Sequence, residues 1–321
     1  MKSIGIFCGG FSSEYDISIK SAQTILNHFP TGYHAVKVEV KREGWHVVKE
    51  NARYELDRSR MCWNENGQEL SLDAGIIYIH GNPGENGKLQ AYFDLIGFPY
   101  VNSGALASEL SFDKWYCNQF LSNFDIPVAK SIFLSSHEEA DEEQILSELG
   151  LPVFVKPSDS GSSYGISKVN TTEELQPALE KAFAEGGTVV IEAFLDGTEV
   201  TCGVYRRKSG IHTLPLTEIV SENEFFDYKA KYLGESSEIT PARIPEEQRD
   251  KVWEIASKCY RLLNLKSIAR IDFMIVHGVP HVIEVNTTPG FSDASLVPQM
   301  LNEDGISISD FWEEILAVEL K

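Results

Sequence analysis

The stretch ARIDFMIVHGVPHVIEVNTTPG, residues 269–290, decides how this chain is read. Apolar and polar positions alternate on both sides of HGVP. That pattern predicts two strands, 268–276 and 281–286, joined by a hairpin turn centred near Gly278. Glu284 and Asn286 are two residues apart on one strand, so they share a face. The turn sets Asp272 opposite them, within about one position of register. Asp272, Glu284 and Asn286 then direct three oxygen ligands to one point. The set is hard, with no thiolate and no imidazole, and it suits Mg²⁺ held by a few carboxylates and substrate phosphates. Arg270 precedes Asp272 by two and lies on the same face, beside the metal. The competing reading is a solvated polar strand face with an ordinary salt bridge. The flanking apolar positions and the TTPG that follows favour the metal site.

Three further segments gain meaning beside this hairpin. In KPSDSGSSYGISK (156–168), Gly161, Ser162, Ser163 and Gly165 let the backbone approach an anion and aim N–H groups at it. The loop joins two strands, so it is no Walker-type strand-loop-helix; it fits a flap over a triphosphate. Lys156 ends a buried strand, where a purely structural lysine is costly. Taken alone, the segment is equally a flexible hairpin tip. IEAFLDGTEV (191–200) runs strand, turn, strand. Such a connector can seat an adenine on backbone at Glu192 and Leu195, with Glu199 on a ribose, but most such connectors bind nothing. GGFSSEYDIS (9–18) can hold a small anion or ammonium at a helix start, with Glu14 suited to an amine. Its plain alternative is a capped first turn. His80 and Tyr232 read individually as core residues.

Outward from these motifs, the chain alternates β and α. Strand 3–8 leads through Gly9-Gly10 to a helix capped by Ser12 or Ser13, with Ala22, Ile25, Leu26 and Phe29 inward. Strands at 35–40 and 74–80, a helix near 87–96 and a short strand at 99–101 follow. Residues 51–72 are polar and give no assignment. This order predicts a small parallel α/β domain over 1–102. A helix at 111–124 carries Lys114. Ser136 and Glu139 form a capping box for the next helix. Strands 152–158 and 166–170 form a hairpin. Helix 172–185 (with Pro177 near its start), strand 188–194 and antiparallel strands near 199–207 and 211–220 come next. Pro245 opens a helix that turns Val252, Ile255, Ala256, Cys259 and Leu262 inward.

Composition narrows the function. The 321 residues have 42% hydrophobic content and a formal net charge of −20. A sequence pI near 4.8 makes nucleic acid and anionic membrane surfaces poor partners. An anionic ligand needs a few local cations, which is feasible because salt screens charges beyond about 8 Å. The five cysteines, 8, 62, 117, 202 and 259, form no CxxC or Cys/His cluster, so reduced thiols in a cytoplasmic protein are expected. No signal-like h-region or membrane-length apolar stretch is expected either.

In combination the motifs resemble the ATP-grasp carboxylate–amine ligases, specifically the D-alanine–D-alanine ligases. The resemblance runs from GGFSSE (9–14) through IHGNPGENGKLQ (79–90), SFDK (111–114), VKPSDSGSSYG (155–165), FFDYKAKY (225–232), ARID (269–272) and EVNTTPG (284–290) to SLVP (295–298). It implies an α/β (α+β) chain with an ATP-grasp fold preceded by a small parallel-sheet Rossmann-like domain. The implied parts are 1–102 with the first D-alanine site, 103–191 with the phosphate flap, and 192–321 with the metal and oxyanion site. It implies triphosphate contacts at Lys114, Lys156, Ser163 and Lys231, and adenosine contacts at Glu192, Leu195 and Glu199. Two magnesium ions, replaceable by manganese, would sit on Asp272, Glu284 and Asn286. Glu14 would hold the first ammonium, with Ser162 and Tyr232 as partners closing the flap. His80 would meet the first carboxylate, Arg270 and the Gly290 amide the oxyanion, and Ser295 the second carboxylate. A homodimer, cytoplasmic location and a role in peptidoglycan synthesis are also implied.

These residue types suit the chemistry. A carboxylate is a poor electrophile until ATP converts it to an acyl phosphate, and that transfer needs charge neutralisation and alignment. Fixed donors serve the tetrahedral adduct, and a flap shields the acyl phosphate from water. Alternatives are a D-alanine–D-lactate or D-serine ligase, another ATP-grasp ligase, or a nucleotide-binding regulator without catalysis. The chain departs from the family at Asn86, where aspartate is usual, at Tyr164, and at Asp293-Ala294 before Ser295. The resemblance also implies, through Tyr232 where depsipeptide-forming relatives have phenylalanine, D-alanine over D-lactate as second substrate.

Overall fold

The computed structural model describes all residues except 51, 137, 139, 162–163, 222–235 and 321. The N-terminal part contains β1 (Ser3–Gly9), α1 (Tyr15–Asn27), β2 (His34–Val40), β3 (Trp45–Lys49), β4 (Ala52–Glu55), β5 (Cys62–Glu65), β6 (Gln68–Ser71), β7 (Ala74–Ile77) and α2 (Lys88–Ile96). Its sheet order is β4-β3-β2-β1-β7. β1 pairs parallel with β2 and β7, but β3 and β4 add antiparallel. The parallel sheet expected from the sequence is therefore only the centre of a mixed one. The cause is the short link between β2 and β3, which permits a hairpin and no crossover. The polar stretch left unassigned holds β4 and the β5-β6 hairpin. Asn66-Gly67, both at positive φ, turn that hairpin, a signal present in the sequence.

α3 (Ala105–Phe112) and α4 (Lys114–Ser122) replace the single helix expected at 111–124. Asp113 is extended between them and accepts from Tyr116 N–H, so Lys114 becomes the first residue of α4. β8 (Ser131–Ser135), α5 (Glu142–Glu148), β9 (Val153–Pro157), β10 (Ser167–Val169), α6 (Leu175–Phe183) and β11 (Thr188–Ala193) form the next layer. The cap of α5 is Asp141, which accepts from Gln144 N–H at 3.0 Å; the box expected from Ser136 and Glu139 does not start this helix, and Glu139 lies outside the described residues. The sheet is antiparallel, in order β10-β9-β11-β8.

The last part comprises β12 (Thr198–Arg207), β13 (Gly210–Thr213), β14 (Thr217–Ser221), β15 (Ser236–Ile239), α7 (Glu246–Leu262), β16 (Ile268–Val276), β17 (Val279–Asn286), α8 (Leu296–Glu303) and α9 (Ile308–Glu319). Its sheet runs β15-β14-β12-β16-β17, with β13 also on β12. Segment 211–220 is thus two strands, both antiparallel to β12. α7 buries Val252, Ala256 and Cys259 against this sheet, sharing a core with Cys117 and Leu121 of α4. α8 and α9 pack Phe311, Trp312 and Met300 against Ile4, Ile6 and Tyr78 of the N-terminal sheet. Full burial of such side chains contributes roughly 1.5–3 kcal/mol each, so the two ends of the chain hold one another.

Candidate active site

The β16-β17 hairpin forms as the sequence predicts. Asp272 pairs with Glu284 and Arg270 with Asn286, and a bulge follows Asp272. The Asp272 carboxylate accepts both prongs of Arg270, each at 2.8 Å, and Asn286 Nδ2 at 3.1 Å. Thr201 on β12 adds its hydroxyl at 2.5 Å. Glu284 pairs with Lys114 Nζ at 3.2 Å. The donors available to a divalent ion are all oxygens, and Arg270 and Lys114 supply the countercharge that such an ion would bring. The donor chemistry therefore fits a hard cation.

Lys114 is 7% exposed, and its Nζ also donates to the Ser160 carbonyl at 2.5 Å. The Ser158 hydroxyl donates to Asp113 at 2.6 Å, fastening the start of α4 to the base of the flap loop. Lys156 and Glu192 are buried on adjacent strands and meet at 2.7 Å, with Asn118 Nδ2 donating to Glu192 at 3.2 Å. Leu195 lies in the connector between β11 and β12, half-buried, and Glu199 lies on β12. Lys156 and Glu192 thus pair within the interior of the β10-β9-β11-β8 sheet, while Lys114 on α4 joins the loop after β9, through the Ser160 carbonyl, to Glu284 on β17. Ser162, Ser163, Lys231 and Tyr232 lie outside the described residues.

A cleft of about 340 Å³ joins the N-terminal part to the hairpin. Glu14, His80, Arg270, Gly290 and Ser295 all line it. Glu14 is the N-cap of α1 and makes no side-chain cap bond, and Ser12 donates to the His80 carbonyl instead of capping. Neither serine expected as cap fills that place: the side chain at the N-cap is the acid, which belongs to the cleft wall. A Cβ built on Gly161 would lie 3.1 Å from Glu14 Oε2, so the backbone at 161 can come this near the carboxylate because the residue is glycine. His80 is buried, and burial lowers its pKa against the opposing pull of the Glu14 charge. Its Nε2 lies 3.3 Å from the Ser21 hydroxyl, which also accepts from Phe291 N–H at 3.2 Å. A Cβ on Gly290 would meet Ser295 Oγ at 3.0 Å. Ser295 is the N-cap of α8 and exchanges hydroxyl contact with Ser292 at 2.8 Å.

Several participants carried no signal strong enough to single them out. Glu85 belongs to the quoted HGNPGENG loop; its carboxylate accepts from Gly81 N–H at 2.7 Å. Burial, with the Glu14 charge adding, pushes its pKa up to about 8. Ser18, Ser21 and Thr24 form a buried polar stripe along α1, and Thr24 donates to Asp293 at 3.1 Å. The departure at 293 therefore ties α1 to the loop bearing Ser295. Asn86 is buried, and with its amide turned to suit both neighbours it donates to the Pro83 carbonyl and accepts from Lys88, each at 3.2 Å. An aspartate has no proton for that carbonyl. Tyr164 is an exposed residue between β9 and β10.

A mixed N-terminal sheet leading into two antiparallel sheets that face each other across lysines and acids is the ATP-grasp architecture of carboxylate-activating ligases. Sequence comparison matches residues 3–103 to the family pattern described as D-ala D-ala ligase N-terminus and residues 120–317 to D-ala D-ala ligase C-terminus. The chain is 43% identical to a D-alanine–D-alanine ligase of Phocaeicola vulgatus over 98% of both proteins, and 43% identical to that of Parabacteroides distasonis over 100% of this chain and 98% of the relative. Among solved structures it resembles a D-Ala:D-Ser ligase from Enterococcus faecalis, with TM-score 0.88, 30% identity and 99% coverage of both chains. The D-alanyl-alanine synthetase A of Vibrio cholerae gives TM-score 0.88 at 29% identity, covering 99% of this chain and 98% of that one. The chain belongs to the D-alanine–D-alanine ligase family.

Proposed function

We propose that the protein joins two D-alanines at the expense of ATP, through a D-alanyl phosphate, to give D-alanyl-D-alanine, ADP and phosphate. The observation that carries this reading is the full-length match to D-alanine–D-alanine ligases, coupled with one cleft lined by Glu14, His80, Arg270, Gly290 and Ser295. The curated relatives at 43% identity over essentially the whole chain are D-alanine–D-alanine ligases, which favours D-alanine as the second substrate.

In this reading Glu14 holds the ammonium of the first D-alanine and His80 its carboxylate. Ser162 and Tyr232 complete the closure of the flap. Lys114, Lys156, Ser163 and Lys231 bind the triphosphate; Glu192, Leu195 and Glu199 bind the adenosine. The terminal phosphoryl passes to the first carboxylate. Transfer of this kind needs neutralisation and alignment, which the lysines provide in an otherwise acidic chain. The second amine attacks the acyl phosphate, and Arg270 with the Gly290 N–H steadies the negative oxygen of the adduct. Ser295 orients the second carboxylate. Asp272, Glu284 and Asn286 would hold magnesium, or manganese, whose contribution is charge neutralisation on the phosphates. The parts 1–102, 103–191 and 192–321 serve the first amino acid, the flap, and the metal with oxyanion site. The working unit is a cytoplasmic homodimer feeding peptidoglycan precursor synthesis. Among the described residues no helix is long and apolar enough to cross a membrane.

The test is phosphate release from ATP across D-alanine, D-serine, D-lactate and L-alanine, with product masses and a magnesium titration. D-alanine-dependent release with a dipeptide mass is expected. ATP binding without release would support a regulator instead. Release with D-lactate or D-serine only would assign a different ligase.

A further inference from the structure

Two zwitterions must enter this cleft, and each brings an ammonium that needs a carboxylate. Glu14 serves the first. Its charge bears on His80 and Glu85, at the N-terminal end of the cleft. The Arg270 charge bears on those two residues and also on Glu238. Glu238 lines the same cleft from the C-terminal part of the chain. It lies on the edge strand β15, opposite Ile219, and lines the same cleft as Gly290 and Ser295.

The other acids near Arg270 already have partners: Asp272 is locked by the guanidinium, Glu284 is paired with Lys114, and Glu85 accepts from Gly81. Glu238 accepts one bond, at Oε2 from Gln299 Nε2 at 3.0 Å. Among the described residues its Oε1 has none. The same Gln299 nitrogen donates to the Ala294 carbonyl at 3.0 Å. Gln299 on α8 thereby holds two things together: an acid, and the loop that presents Ser295 at the start of α8. Ser295 and the helix N-terminus suit a carboxylate. An acid fixed beside them completes a receptor for an amino acid.

We propose that Glu238, set by Gln299, is the residue that recognises the ammonium of the second amino acid and so selects an amine over a hydroxyl as the incoming group. This rests on the ligase reading above and adds to it a specificity residue on β15.

Glu238→Gln tests it cleanly, because the amide oxygen still accepts from Gln299 and only the charge is lost. The KM for the second D-alanine should rise about tenfold or more, the loss expected when a charged partner becomes neutral. The KM for ATP and for the first D-alanine should stay put. The preference for D-alanine over D-lactate should fall by a similar factor, since D-lactate carries no ammonium. Gln299→Ala, which frees both the acid and the loop, should raise the second KM for either substrate. A wild type that releases phosphate with D-alanine, beside a Glu238→Gln enzyme with unmoved second KM or unmoved D-lactate discrimination, overturns the Glu238 assignment alone. A wild type with no D-alanine-dependent release overturns the ligase reading and this inference with it.

Discussion

Lys156→Met is the most direct probe of how the proposed nucleotide region is built. Lys156 on β9 is opposite Val190, and Glu192 lies two residues along β11, so both project from one face. Both are buried, 6% and 5% exposed, and their ion pair measures 2.7 Å. Methionine fills most of the lysine's volume but leaves the Glu192 carboxylate, among the described residues, with Asn118 alone. Removing one member of a buried pair costs about 3–5 kcal/mol, far more than an exposed bridge. With a urea slope near 3 kcal/mol per M, the midpoint should fall by roughly 1–1.7 M. The double variant Lys156→Met/Glu192→Leu removes both charges and should recover most of that stability, because a well-packed apolar pair replaces a desolvated ionic one. Nucleotide binding should not recover. Urea midpoints followed by fluorescence, paired with ATP titration of each variant, separate the two roles. A single variant with an unshifted midpoint, or a double variant as unstable as the single, would refute the argument that Glu192 is stranded.

The raised Glu85 pKa makes a pH prediction. Between the ordinary value of 4.5 and about 8 the folded chain keeps a proton that the unfolded chain gives up, so this group lowers stability as pH rises through that window. Glu85→Gln still accepts from Gly81 and should gain on the wild type by an amount that grows from pH 5 to 8, reaching on the order of a few kcal/mol; melting curves whose difference is flat with pH would contradict it. Gly290→Ala places a methyl 3.0 Å from Ser295 Oγ and should raise the KM of the second substrate severalfold while sparing ATP binding, read in steady-state kinetics. Thr24→Val removes the donor to Asp293 at nearly constant volume. It should cost about 0.5–1.5 kcal/mol in thermal melts, and an unchanged melting point would show the tie to be idle.

Much of the site was legible because its residues are local. Lys156 was singled out by its place at the end of a buried strand, and Glu14 by its place at a helix start. Other features were legible only in part. The break at Asp113 was missed because helix periodicity continues across it, and only the cap at Tyr116 N–H reveals that Lys114 begins a new helix. The polar hairpin at 62–71 was missed because its strands are four residues long, too short for alternation to register despite Asn66-Gly67. Glu238 offered nothing, since one acid in a polar stretch has no periodicity and no motif.

By itself the sequence determined the Asp272, Glu284 and Asn286 face, because a hairpin fixes side-chain direction at period two and its turn fixes the register. Only the tertiary structure decided what that face looks onto. Glu14, Glu85 and His80 reach the Arg270 cleft, and Trp312 packs under Tyr78, through contacts between the two ends of the chain. Such contacts depend on how α8 and α9 dock on β1 and β7. Docking is set by shape and burial summed over many side chains, which no short stretch of sequence encodes.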